Sequence, residues 1–151
     1  MGRSTRIVCA VDVQETWPAW SPDGSKIAFT SDRAAIDDIW LIEATGANPT
    51  RVTRGPKVDE RPDWSPDGGR IVFSRNGNVW IVDADGQTPT QLTDTRQDEF
   101  APAFSPNGRR IAFNRLGNDD RIGVWVMRAD GTVRVQKTFG RIDFFPDWQP
   151  V

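Results

Sequence analysis

Eight residues, "WPAWSPDG" at 17–24, return as "RPDWSPDG" at 61–68 and "APAFSPNG" at 101–108, and a further copy begins as "FPDWQP" at 145–150. Aligned on Trp20, Trp64, Phe104 and Trp148, the copies lie 44, 40 and 44 residues apart, a period that signals a solenoid or a propeller. The match extends around each aromatic. Pro18, Pro62, Pro102 and Pro146 stand two residues before it, and Pro22, Pro66, Pro106 and Pro150 two after. "IAF", "IVF" and "IAF" follow at 27, 71 and 111. A second apolar run comes next, "IWLI" at 39, "VWIV" at 79 and "VWVM" at 124, then a third, "RVT", "QLT" and "VQKT".

These runs have strand length, and none carries a sustained helical period. In "SPDG" the proline presets φ for a tight turn and the glycine takes positive φ, so the motif reads as a hairpin loop. "ATG", "ADG" and "ADG" at 44, 84 and 129 separate the later runs in the same way. "IWLI" and "VWIV" are apolar on both faces, as befits sheets sandwiched between neighbouring sheets. Proline in the inner strand is tolerable if that strand is an edge lining a central channel. The expectation is an all-β fold of β-propeller blades, each of four antiparallel strands. One three-blade segment then fills 1–151: an outer strand at 5–11, blade 1 over about 15–54, blade 2 over 59–94, blade 3 over 99–139, and an extra inner strand at 143–149.

Pro, one residue, Trp, "SPDG", "IAF", an aromatic strand and a closing "RVT" together resemble the WD-like repeat of TolB-type β-propellers, over almost the whole chain. The resemblance implies four-stranded blades around a channel, usually six, with protein partners docking at a channel mouth. It also implies a periplasmic or extracytoplasmic setting, although the sequence shows no signal peptide and the compartment stays open. Three blades in an open arc would leave two apolar faces in water, so the expected partner is a second copy, a homodimer closing a six-bladed ring.

Composition narrows the chemistry. The chain has no histidine, which removes Ser-His-Asp and Cys-His nucleophile activation and histidine-ligated metals. Cys9 is the only cysteine, so no intrachain disulfide forms. A net charge of −2 with scattered cations argues against nucleic acid, and no apolar run is long enough for membrane insertion as a helix. "DADG" at 83–86 fails as a calcium loop, because Thr88 stands where glycine is needed and Asp94 where glutamate is. Ser21, Ser65 and Ser105 sit in turns without a "GxSxG" elbow. No catalytic residue, cofactor or metal is expected.

Five residues before each aromatic stands an acid: Glu15, Asp59, Glu99 and Asp143. One reading gathers them as a ring at the channel mouth, able to hold a cation or receive a partner's lysines and arginines. The other has each acid organise its own blade by accepting backbone hydrogen bonds or pairing with an arginine. Most tryptophans recur at repeat positions and read as packing between blades. Trp17 does not, because the position three before the aromatic varies, as Trp17, Arg61, Ala101 and Phe145. Variable residues beside a mouth make a candidate surface for a protein or peptide. The function read from the sequence is thus a non-catalytic, self-assembling scaffold. Two alternatives stand beside it: a propeller domain from a peptidase or other hydrolase, and a half-propeller, evolved or engineered, whose only activity is assembly.

Overall fold

The computed structural model describes residues 13–140 and 142–148, and the expected outer strand at 5–11, with Cys9, lies outside them. Twelve strands are present among the described residues and no helix. They form three four-stranded antiparallel sheets with sequential strand order. Blade 1 holds β1 (Glu15–Trp20), β2 (Lys26–Ser31), β3 (Asp38–Glu43) and β4 (Thr50–Arg51). Blade 2 holds β5 (Asp59–Trp64), β6 (Arg70–Arg75), β7 (Asn78–Asp83) and β8 (Thr90–Gln91). Blade 3 holds β9 (Glu99–Phe104), β10 (Arg110–Leu116), β11 (Ile122–Arg128) and β12 (Val135–Gln136).

The "SPDG" turns close as their residues dictate. Gly24 N–H donates to Ser21 O at 2.9 Å, with Gly24 at φ +70°. Asp23 Oδ1 then accepts the Ser25 N–H, and Ser21 Oγ accepts the Lys26 N–H at 2.9 Å. Ser65 and Ser105 repeat the clamp on Arg70 and Arg110, so these hydroxyls serve the turn.

Successive residues of a strand point to opposite faces, and in "IVF" both faces are covered. Ile71 and Phe73 of β6 pack towards blade 1, against Ala28, Ile39, Leu41 and Val52. Val72 packs towards blade 3, with Phe104, Ile111, Phe113 and Met127. Tryptophan hydrogen bonds stitch the first seam and tie the last segment to blade 3. Trp64 Nε1 donates to Ala19 O of blade 1 at 3.1 Å, and Trp148 Nε1 donates to Ala103 O of blade 3 at the same distance.

Residues 143–148, expected as a lone inner strand to 149, occupy that place beside blade 3 without forming a ladder. The one bridge pairs Ile142 with Ile122, in parallel. Side chains hold the segment instead: Asn114 Nδ2 donates to Asp143 O at 2.6 Å, and Asn114 Oδ1 accepts the Phe145 N–H at 2.8 Å.

Candidate binding surface at the inner strands

β1, β5 and β9 are the inner edges of their sheets, and β5 packs against both of the others. Each carries a bulge. In β1, Thr16 faces Thr30 and Ala19 faces Ala28, so Trp17 and Pro18 together oppose one residue. β5 and β9 shift register at the same place. The bulge residue has left-handed φ each time, Trp17 +53°, Arg61 +57° and Ala101 +50°, and Phe145 takes the same conformation, +54°, at the matching place in the last segment. Bulky non-glycine residues take this conformation rarely, and at Arg61, Ala101 and Phe145 a side-chain acceptor on the preceding blade fixes it. Arg61 N–H donates to Thr30 Oγ1, Ala101 N–H to Ser74 Oγ, both at 3.1 Å, and Phe145 N–H to Asn114 Oδ1.

The bulges throw these side chains together. The Trp17 and Phe145 rings lie 5.6 Å apart, although 128 positions separate them in the chain. The Arg61 guanidinium sits 4.5 Å from the Trp17 ring centroid, 5.4 Å from that of Phe145 and 5.2 Å from that of Phe100. Phe144 stacks on Phe145 at 5.6 Å. Phe100 and Phe144 were not singled out in the sequence. Their signal was an aromatic directly before the bulge position, in "EFAPAF" and "DFFPDW".

Two clefts adjoin the cluster. One, about 320 Å³, is walled by Trp17, Arg61, Phe145 and the prolines 18, 62 and 102. The other, about 500 Å³, is lined by Glu60, Arg61, Asp98, Phe100, Phe144 and Phe145. Asp63, on the wall of the first, accepts the Phe104 N–H at 2.7 Å. Burial pushes its carboxyl up to about 6, against the pull of that hydrogen bond, and the Asp147 charge adds to the rise.

The acids five before the aromatic open the same inner segments, and Glu99 borders the larger cleft. Asp59 and Glu99 have no exposed surface. Asp59 accepts two bonds from Arg75, both at 2.6 Å, and that guanidinium lies 4.9 Å from the Trp80 ring. Glu15 pairs with Arg33, which lies over Trp40 at 4.8 Å. Glu99 faces Arg115 at 3.8 Å, and Arg115 lies over Trp125 at 4.7 Å. An acid, an arginine and a tryptophan thus stack in every blade. Asp143 is half-buried, with its N–H donated to Ile122 O at 2.9 Å. A further buried acid, Asp38, lies 2.6 Å from Arg51. Its carboxyl is pushed up by burial, with Arg51 pulling the other way. Among the described residues no group of three or more acids stands as a metal site, and no helix could cross a membrane.

Three four-stranded blades, sealed face to face and bulged on their inner edges, define an all-β propeller. Residues 2–151 match the family model described as the TolB beta propeller domain, and the chain belongs to that family. Among curated relatives, the Tol-Pal system protein TolB of Anaeromyxobacter dehalogenans is 42% identical over 43 residues, 28% of this chain and 10% of that protein. A structure assigned as TolB from Agrobacterium tumefaciens superposes with a TM-score of 0.78 at 27% identity, covering 86% of this chain and 50% of that one. A puromycin-hydrolyzing peptidase from Mycobacterium tuberculosis superposes at 0.70 over 93% of this chain and 23% of its own, and at 12% identity it shares the fold alone. The matched residues thus cover half the length of that TolB structure and a tenth of the curated relative.

Proposed function

We propose that this chain is a non-catalytic TolB-like scaffold that binds a protein or peptide at the channel mouth, on the surface made by Trp17, Arg61 and Phe145. The observation that carries the reading is the convergence of these three side chains, from two blades and the segment after the third, beside open clefts. Aromatic residues and arginine supply most of the energy in protein interfaces, and rings held by strained backbone lose little freedom on binding. Glu15, Asp59, Glu99 and Asp143 stand at the start of the same inner segments, and Glu99 borders the larger cleft. The arginine partners of Glu15, Asp59 and Glu99, and the full burial of the latter two, favour the organising role over an open acidic ring.

Self-association completes the proposal. Trp20 is 57% exposed where its counterpart Trp64, covered by the preceding blade, is 6% exposed. A second copy set against that face would close a ring, and an extracytoplasmic setting fits the Tol-Pal relatives. Two measurements test the reading. Light scattering should give twice the 16.9 kDa chain mass, and a monomer at every concentration would refute the association. On an array of capped peptides, those that bind should be lost by Trp17→Ala and Phe145→Ala but kept by Gln87→Ala on a distant turn. Equal binding by all three variants would refute the site.

A further inference from the structure

Arg61 differs from four other arginines of the blades. Arg33, Arg51, Arg75 and Arg115 each have a carboxylate within reach, and Arg61 has none among the described residues. Its side chain donates no hydrogen bond there, and its Nε is buried without a partner. Three rings lie within 5.4 Å of the guanidinium, a packing that suits its faces and leaves its in-plane donors unpaired. A buried N–H without an acceptor is costly, and a planar fork of donors is shaped for a carboxylate.

The position of the fork defines the ligand further. Arg61 and Phe145 line both clefts, so a chain lying across the two passes Arg61 in mid-segment and presents a side chain to it, not an end. On one side the walls are mostly proline, alanine and aromatic rings, with Asp63 the one acid among them. On the other stand Glu60 and Asp98. Resting on the channel-mouth reading, we infer that Arg61 receives an aspartate or glutamate side chain of an extended partner segment, which places apolar residues in the proline-walled cleft and a basic residue beside Glu60 and Asp98.

The probes are capped peptides in which glutamate is flanked by leucine and proline on one side and lysine on the other, made in both orders, with glutamine counterparts. Calorimetry on the intact chain should show the glutamate peptide, in at least one order, binding on the order of tenfold tighter than its glutamine counterpart, the scale of a charge-assisted hydrogen bond. Arg61→Gln should abolish that difference, with thermal unfolding confirming that the variant folds. Equal affinity for glutamate and glutamine, or a preference that persists in Arg61→Gln, would overturn the inference. If both peptides bind equally and Trp17→Ala releases both, the channel-mouth reading survives and only the carboxylate assignment falls. Absence of binding by every peptide would count against both.

Discussion

The Asp59–Arg75 pair decides what the repeated acids do. Replacing Asp59 by Leu leaves the Arg75 cation held between the Phe73 and Trp80 rings, at 5.1 and 4.9 Å, with both of its 2.6 Å bonds to carboxylate gone. Arg75→Met strands a carboxylate that has no exposed surface. Breaking a buried pair from either side costs about 3–5 kcal/mol, whereas exchanging both members for apolar groups is often near neutral. Each single variant should therefore lower Tm by about 10 °C in a chain of this size. The double variant Asp59→Leu, Arg75→Met should recover most of the loss, with a coupling energy of at least about 3 kcal/mol from urea unfolding. Glu99 provides the internal control. Its contact with Arg115 is 3.8 Å and neither oxygen accepts a hydrogen bond, so Glu99→Gln should cost much less than Asp59→Asn. Additive single losses, or a gain in stability from Asp59→Leu alone, would refute the pairing and point back to acids repelling one another in a ring.

Two further outcomes follow from the geometry. Asp63 titrates near 6 in the folded chain against 3.8 when unperturbed, so ionising it opposes folding. Its penalty is absent below about pH 4 and complete above about pH 6, and over that window stability falls as pH rises, by at most about 3 kcal/mol. Asp63→Asn, which keeps an acceptor for Phe104 N–H, should flatten that part of the profile, and an unchanged slope in denaturant titrations would exclude the assignment. Thr93→Val removes the hydroxyl that accepts the Val79 N–H at 2.9 Å in a buried site, so it should cost about 1–3 kcal/mol and speed hydrogen exchange at the Val79 amide. Exchange unchanged at Val79 would show that its N–H finds another acceptor.

The blades were legible because strand alternation and turn chemistry are local and are written three times. "SPDG" specifies its turn within five residues, and "IVF" announces burial on both faces. The candidate surface was half legible. Variation among Trp17, Arg61, Ala101 and Phe145 marked the position, but the bulge that swings it inward depends on a hydrogen bond from another blade. The donors' partners, Thr30, Ser74 and Asn114, do appear in the sequence as single polar residues directly after "IAF" or "IVF", a signal that acquires meaning only once neighbouring blades are in contact. The acid, arginine and tryptophan stacks were hidden for a similar reason. Arg33 comes from a loop and Arg75 from the end of a strand, so unequal spacing disguises equal geometry. Phe100 and Phe144 passed for ordinary strand aromatics because their company is assembled across the molecule.

One consequence lies in the bulge itself. At Arg61, Ala101 and Phe145 its backbone shape is secured by the residue's own N–H and a neighbour's oxygen, and neither depends on which side chain the residue bears. Tryptophan, arginine, alanine and phenylalanine all sit there with φ within a few degrees of one another. The position works as a socket: the fitting can be exchanged without rebuilding the frame. A lineage carrying such sockets around one axis can change what it recognises one residue at a time, and an engineer can do the same by randomising only positions 17, 61, 101 and 145.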